Sequence, residues 1–233
     1  MKYFLILISV FFGISGLFAQ QAQKQTTLQS NSQLAIKYYG TKEYDKAIPL
    51  LREVYKVSKN GTYFRYLLNS FIELKQFDEA VSEIQKEIKA QKTQNPELYI
   101  HWGYLLKIQK KEEEAKQKYR EAIEHITASK GNYLMAANTF LQWGEYELAR
   151  ETYEKGRVVL APEKFNYELA NVYLYLRDYE NMMEEYLDLL RQSEKQLNRV
   201  QSSLSAAMRL DIDDGLRDKF RGQLLKRIQN END

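Results

Sequence analysis

The sequence predicts an all-α protein in which similar pairs of helices follow one another along the chain. The 233 residues include only 10 Gly and 3 Pro, and strong helix formers such as Leu, Glu, Lys and Ala fill most of the chain. A motif that ends in a small or apolar residue recurs about every 34 residues. Around each occurrence, apolar residues are spaced three and four apart, which is the spacing of one face of a helix.

The first 19 residues are typical of a secretory signal peptide. Lys2 precedes an uncharged apolar run over residues 3–12, and small residues precede Ala19. The run is shorter than a membrane-spanning helix needs. We therefore expect cleavage after Ala19 and export of the remaining chain, with residues 20–28 as a short linker. An uncleaved N-terminal anchor is the alternative, because Leu17 is larger than the residue preferred at that position before a cleavage site.

Composition argues against several classes of function. The chain has 34 Lys and Arg against 32 Asp and Glu, so its charge indicates neither nucleic acid nor an anionic membrane as a partner. It has no Cys, which excludes disulfides, thiolate metal sites and lipid attachment through an N-terminal Cys. It also lacks a phosphate-binding glycine loop, a nucleophile elbow and a zinc-protease motif. We expect no cofactor and no enzymatic activity.

Three further segments are weighed as sites and interpreted as architecture. His101 and His125 are the only histidines and are expected on different helices, so we predict no metal site. Asp211–Gly215 resembles a calcium loop, but its oxygens are misspaced, and Asp213 or Asp214 is expected to cap a helix. The charged run 110–118 predicts a solvated turn and the start of a helix, with a charged docking patch as the alternative.

The recurring motif defines five repeats. It ends at Ala47, Ala80, Ala115, Ala149 and Met182, in steps of 33, 35, 34 and 33 residues. A large residue follows each by four positions, on the same helical face: Leu51, Ile84, Tyr119, Tyr153 and Tyr186. The period predicts repeats over residues 29–60, 61–94, 95–129, 130–162 and 163–195.

We expect small and bulky residues of the repeats to pack helix against helix. On the first helices they are Leu34, Ala35, Tyr38, Leu67, Phe71, Trp102, Gly103, Leu106, Ala137, Phe140, Ala170 and Tyr173. On the second helices they are Ala47, Leu51, Ala80, Ala115, Tyr119, Ala149, Tyr153 and Tyr186. Asn166 interrupts the apolar pattern of the fifth repeat. Pro49 falls inside a predicted helix, so a kink or a late helix start is expected there.

The third repeat resembles the tetratricopeptide repeat family most closely. The matching residues are Tyr99, Trp102, Gly103 and Leu106 on the first helix and Ala115, Tyr119 and Ala122 on the second. The resemblance extends over residues 29–195. It implies a right-handed superhelical solenoid of antiparallel helix pairs.

Beyond Ser193 the repeat signature is lost, while the helical pattern continues. One apolar face comprises Leu197, Val200, Leu204, Ala207 and Met208, and a second comprises Leu216, Phe220, Leu224, Leu225 and Ile228. We predict a helix pair over residues 196–233, either a divergent sixth repeat or a cap over the last apolar face. A third possibility is that the chain is the front part of a longer array.

The resemblance also implies a ligand site in a concave groove lined by the first helices. The residues in groove register are Arg65, Asn69, Ile100, His101, Tyr104, Leu134, Asn138, Tyr167 and Asn171. We expect the three Asn to bind the backbone of an extended peptide, because an amide both donates and accepts hydrogen bonds. Apolar contact would come from Ile100, Tyr104 and Tyr167. The alternative is that Asn is simply tolerated on an exposed helix face.

These observations predict an exported protein–protein interaction scaffold that binds an extended peptide or a partner helix in its groove. The expected partner is another protein or a peptide, with no nucleic acid, no metal, and membrane contact only if the leader is uncleaved. The leader resembles those of Gram-negative bacteria, which predicts the periplasm or the outer-membrane periphery. The alternative function is a structural subunit of a cell-envelope assembly that docks through its convex face or its ends.

Overall fold

Helices make up most of the chain that the computed structural model describes, which is residues 26–91 and 95–210 with the isolated residues 218, 221, 222, 225 and 229. No strand occurs within these residues, and the all-α prediction is confirmed. The predicted signal peptide, residues 1–19, lies outside the described residues, as does most of the predicted linker.

The helices follow one another in antiparallel pairs, as predicted. Residues 26–40 belong to α1. The next helices are α2 (Tyr44–Ser58), α3 (Gly61–Glu73), α4 (Phe77–Ala90), α5 (Pro96–Ile108), α6 (Glu112–Glu124), α7 (Lys130–Gln142) and α8 (Tyr146–Val159). They are followed by α9 (Asn166–Tyr175), α10 (Tyr179–Gln192), a 3-10 turn (Glu194–Gln196) and α11 (Leu197–Leu210). Helix α5 packs on α6, α7 on α8 and α9 on α10. The handedness of the array stays a prediction.

The chain divides into two compact units, one ending at Lys86 and one starting at Glu87. In the first unit the predicted packing residues Ala35, Ala47, Leu51, Leu67, Phe71 and Ala80 are buried. The prediction that Leu34 packs between helices was wrong, since its side chain is 37% exposed. Its neighbour Ala35 is the α1 residue that is fully buried. The register of α1 therefore turns Leu34 outward.

A continuous apolar core runs through the second unit from α5 to α11. Its close fit depends on two glycines. A Cβ atom on Gly103 would fall within 3.1 Å of Tyr119 Cζ and closer still to Cε1 and Cδ1. A Cβ atom on Gly156 would lie 2.9 Å from ring atoms of Tyr133 and 3.0 Å from Phe165. At these points aromatic rings fill the space that a side chain would need.

The turn between the two helices of each repeat contains one residue in the left-handed backbone region. These residues are Lys42, Lys75, Lys110, Gly144 and Arg177, with φ between 56° and 73°. Beside each of them, a backbone N–H donates back across the turn, as from Lys111 to the Leu106 carbonyl at 3.0 Å. This pattern is the Schellman motif, which closes the end of a helix. The predicted turn in the charged run is confirmed, and α6 starts at Glu112.

Pro96 lies at a helix boundary, but Pro49 does not. Pro96 is the first residue of α5, as expected at a helix start. Of the two outcomes expected at Pro49, the late start was wrong, because α2 begins at Tyr44 and includes Pro49. The kink stays a prediction. Asn60 caps α3, and its side chain accepts a hydrogen bond from the Thr62 backbone at 2.8 Å.

In the fifth repeat an aromatic residue, Phe165, stands one position before Asn166, the residue that interrupts the apolar pattern. Phe165 precedes α9 with φ of 52° and is 1% exposed. Its ring packs against Tyr133 and Tyr153. Asn166 is buried beside it and donates to Glu185 Oε2 at 2.6 Å, while its own oxygen accepts from Gln192 at 3.0 Å. The interruption in the sequence pattern is therefore a buried polar contact.

Helix α11 extends the apolar core beyond the fifth repeat. Val200, Leu204 and Ala207 are at most 9% exposed and belong to the core. They follow Asn166, Ala170 and Tyr173 by 34 residues each. The second predicted face of this region, apart from Leu225, lies outside the described residues. In the part of the chain that is described, no helix is long and apolar enough to cross a membrane.

Candidate binding surface

The first feature of the predicted groove is a stacked aromatic pair. Helices α5 and α7 pack against each other, and Trp143 directly follows the last residue of α7. The Trp143 ring stacks on Tyr104 of α5, with centroids 4.0 Å apart and planes 22° apart. Both side chains are half-buried, so each keeps part of its surface accessible.

His101 holds the Trp143 indole from the buried side. Trp143 Nε1 donates to His101 Nδ1 at 2.8 Å, and the two rings are nearly perpendicular, at 87°. His101 is only 6% exposed. The sequence placed His101 on the ligand-facing surface, and the structure corrects this: His101 lies beneath that surface.

Helix α7, which directly precedes Trp143, adds apolar and amide groups. Leu134 is half-buried, Met135 is 40% exposed and Asn138 is exposed. The Asn138 oxygen accepts a hydrogen bond from the Tyr153 hydroxyl at 3.3 Å. The oxygen of Asn138 already accepts this bond, and its amide N–H₂ is of a kind that can donate to carbonyl or carboxylate oxygens. We call Tyr104, Leu134, Met135, Asn138 and Trp143 the α5/α7 face.

The other two groove asparagines are engaged within the chain. Asn171 accepts from the Tyr186 hydroxyl at 3.2 Å and also hydrogen-bonds Tyr167. In the first unit, Asn69 donates to the Tyr39 hydroxyl at 3.1 Å. A tyrosine hydroxyl therefore hydrogen-bonds the side-chain amide at each of the three positions. Asn138 is the most exposed of the three.

Arg65 is also contacted within the first unit. Its guanidinium lies 5.6 Å from the centre of the Tyr66 ring, and Tyr66 in turn stacks on Tyr39 at 4.3 Å. These contacts form an aromatic cluster that the sequence analysis did not identify. They give Arg65 an intramolecular packing role.

Two further residues that were predicted to contact a ligand, Ile100 and Tyr167, are covered by other parts of the chain. Ile100 was expected to supply apolar contact, but its side chain is fully buried and belongs to the core. Tyr167 lies under α11: the Arg199 guanidinium is 3.3 Å from its ring centroid, and Ser203 lies 3.1 Å from its hydroxyl. The hydrogen bond with Ser203 lowers the pKa of Tyr167 against the effect of burial. The period could not reveal this cover, because α11 lacks the repeat signature.

Trp102 belongs to the packing layer and is half-buried. The ammonium group of Lys118 lies 4.5 Å from the centre of its ring. A cation over an indole face is a favourable contact. The remaining packing residues predicted for the second unit, from Gly103 to Tyr186, are buried, with none above 8% exposure.

A cavity of about 560 Å³ lies on a different side of the second unit, between α6 and α8. Its lining includes Lys107, Arg120, Glu145 and Glu151. Glu145 accepts from Lys107 at 2.7 Å and from the Tyr119 hydroxyl at 3.0 Å. Burial and the Glu145 charge raise the pKa of Tyr119 strongly, so this hydroxyl stays protonated. Because one ion pair and a buried tyrosine form part of its lining, we interpret this cavity as part of the packing between helices and not as a binding site.

Among the described residues, no group of three or more His, Asp or Glu side chains is placed to hold a metal ion.

Sequence reasoning missed Trp143 and Met135. The repeat pattern was read only at its small and bulky packing positions, and Trp143 lies beyond the last of these on α7. A usable signal was present, because Trp143 directly precedes Gly144, the turn residue of its repeat. A large aromatic residue at the end of a first helix can reach the neighbouring first helix.

Two segments of the chain match the family described as tetratricopeptide repeat, residues 131–156 and 163–196. They fall on the helix pairs α7/α8 and α9/α10. No curated protein matches the chain.

Several solved structures are similar at low identity. A tetratricopeptide repeat protein of Thermus thermophilus is 17% identical, covering 78% of this chain and 98% of that chain with a TM-score of 0.39. A tetratricopeptide repeat protein of Parabacteroides merdae is 11% identical, covering 87% and 79% with a TM-score of 0.40. PilF of Pseudomonas aeruginosa is 23% identical, covering 86% and 91% with a TM-score of 0.36.

Proposed function

We propose that this chain, which matches the tetratricopeptide repeat family at residues 131–156 and 163–196, is a protein-interaction scaffold that binds an extended peptide or a partner helix at the α5/α7 face. Repeats of this kind typically serve in protein binding and not in catalysis. We infer no reaction, cofactor or metal for the chain.

The observation that carries the proposal is the composition of the α5/α7 face. It combines a stacked Tyr104–Trp143 pair with an exposed methionine and an exposed amide. Aromatic residues and methionine are enriched where proteins bind one another, because they supply a large apolar area. The amide N–H₂ of Asn138 supplies a donor for main-chain oxygens. An extended segment offers both apolar side chains and carbonyl groups, and so fits this set.

We also propose that the protein is exported, to the periplasm or the outer-membrane periphery of a Gram-negative bacterium. Support comes from the apolar run over residues 3–12 and the small residues before Ala19. Mass spectrometry of the N-terminus of the mature protein tests this. A mature chain that starts at Gln20 would support export, and a chain that retains residues 1–19 in the cytoplasm would contradict it.

A pair of variants tests the proposed surface. A partner is first isolated with the native protein from envelope extract, and its affinity is then measured for Tyr104→Ala, Asn138→Ala and the control Glu151→Ala. Glu151 is exposed on α8, away from the α5/α7 face.

Tyr104→Ala should weaken the partner most, by tenfold or more if it is a binding hot spot of about 1.4 kcal/mol. Asn138→Ala should weaken it less, and Glu151→Ala should leave it unchanged. Circular dichroism confirms that each variant is folded. Loss of affinity in Glu151→Ala alone would place the partner at the α6/α8 side and favour the structural-subunit alternative.

A further inference from the structure

The protonation state of His101 Nδ1 determines whether His101 can hydrogen-bond the Trp143 indole. The His101 Nδ1 atom accepts the indole N–H of Trp143 at 2.8 Å. An indole nitrogen only donates, so the bond requires His101 Nδ1 to be without a proton. If Nδ1 takes up a proton from solvent, both nitrogens become donors, and the two N–H groups oppose each other. The bond therefore exists only with neutral His101.

The contact continues from Trp143 to the surface. The indole stacks on Tyr104 at 4.0 Å, so the imidazole, the indole and the phenol form one connected set. His101 is 6% exposed, while Tyr104 and Trp143 are half-buried. A change at the buried imidazole is thereby transmitted to two rings that reach the surface.

We propose that His101 is a pH-sensitive positioning residue of the α5/α7 face: neutral His101 fixes Trp143 under Tyr104, and protonated His101 releases both rings. The stacked pair is then assembled near neutral pH and loosened in acid. This inference rests on the proposed function, because it assigns a pH dependence to the same surface. The part that concerns Trp143 can be measured without a partner.

Other ionisable groups surround this helix and must be separated from His101. On α5, Glu97 lies one turn before His101, accepts from Thr139 of α7, and has its pKa raised by burial. Lys107 of α5 pairs with Glu145. On α6, Lys118 lies over the rings of Trp102 and Tyr99. The other histidine, His125, packs edge-on against Tyr99.

The experiment follows the indole N–H signal of Trp143 by nitrogen–proton NMR of the full chain from pH 8 to pH 5. The chain has two tryptophans, and a Trp102→Phe variant assigns the remaining signal. Imidazole titrates near pH 6.5 in peptides, and the pH range is chosen to extend to both sides of that value. In His101→Gln, the amide oxygen can still accept the indole N–H but does not titrate. His125→Gln and Glu97→Gln are the matched controls.

The expected result is a Trp143 signal that shifts upfield as pH falls in the wild type, in His125→Gln and in Glu97→Gln, and that stays constant in His101→Gln. A signal that does not move in the wild type would overturn the proposal, and so would an equal shift in His101→Gln. If the shift occurs as expected but Tyr104→Ala does not affect any partner, the proposed function fails while the role of His101 stands.

Discussion

At the scale of single residues, the contact between Gly103 and Tyr119 leaves no room for a larger residue at position 103. The tyrosine ring lies where a Cβ atom at position 103 would have to be. It cannot move away easily, because Tyr119 is 4% exposed and its hydroxyl donates to Glu145. The packing of α5 on α6 therefore requires both the small residue at position 103 and the large residue at position 119.

Gly103→Ala should destabilise the protein by about 1–3 kcal/mol, because overpacking forces the ring or the backbone to shift. Gly131→Ala is the matched control, since a Cβ atom there meets nothing within 4 Å, and it should stabilise the helix by up to about 1 kcal/mol. Urea unfolding of both variants measures the difference. Equal stability of the two would contradict the packing argument.

The packing residues were predictable from the sequence, whereas only three of the nine residues predicted in groove register, Tyr104, Leu134 and Asn138, belong to the proposed α5/α7 face. Ala47, Ala115 and Ala149 repeat at a fixed period and are buried. The direction of Ile100 and His101 depends on how far α5 is rotated about its axis, which the pattern does not determine. The partners of Asn138 and Asn171 are tyrosine hydroxyls on other helices. Those bonds require three-dimensional distances.

At the scale of helices, the turns within the repeats carry a backbone cost. Four of the five turn residues in the left-handed region are Lys or Arg, and only Gly144 is a glycine. A residue with a Cβ atom is strained in that region, by roughly 1 kcal/mol. The charged run predicted the turn at Lys110, whereas the sequence offered no Gly or Pro at Lys42, Lys75 or Arg177, and the positions of those three turns came from the period.

Lys110→Gly should stabilise the protein by about 0.5 kcal/mol, because the relief of strain outweighs the greater chain entropy of glycine when unfolded. The Lys110 side chain is exposed, so little packing is lost. Gly144→Ala should have the opposite sign. Thermal unfolding by calorimetry checks both, and a destabilised Lys110→Gly would show that the turn is not strained.

The second helices of the last three repeats share a buried tyrosine. Tyr119, Tyr153 and Tyr186 follow the motif residue by four positions, and burial raises the pKa of each, to about 12 for Tyr186. An unfolded tyrosine ionises near pH 10. The folded state therefore holds its proton where the unfolded state has lost it, and stability falls as pH rises from about 10 to 12.

Tyr186→Phe should make the alkaline loss of stability shallower, since each such tyrosine contributes up to about 1.4 kcal/mol per pH unit in that window. Tyr175→Phe is the control, because Tyr175 is 56% exposed. Denaturant titrations at pH 9, 10, 11 and 11.5 give the slopes. An unchanged slope in Tyr186→Phe would mean that this hydroxyl does not titrate with unfolding.

At the scale of the whole molecule, the end of the repeat series depends on α11. Its residues Val200, Leu204 and Ala207 join the core of the second unit, and Arg199 and Ser203 cover Tyr167. A solenoid needs its terminal apolar face covered. The sequence spacing alone could not distinguish a cap from a divergent sixth repeat. Leu204 follows Ala170 by one period, but a large residue there departs from the repeat pattern.

A chain that ends at Lys195 should lose at least about 3 kcal/mol relative to one that ends at Leu210, because it no longer buries Val200 and Leu204. The comparison of melting temperatures for the two chains measures the contribution of α11. If both melt together, α11 is not a required cover. The full chain, measured beside them, reports what residues 211–233 add.

The most direct measurement of the central claim is site-specific photo-crosslinking to the isolated partner. A photoreactive residue replaces Met135 on the α5/α7 face in one protein and Glu151 on α8 in another, both exposed positions. Binding at the α5/α7 face predicts a strong crosslink from position 135, abolished by Tyr104→Ala, and little from position 151. A crosslink from position 151 with none from position 135 would contradict the account.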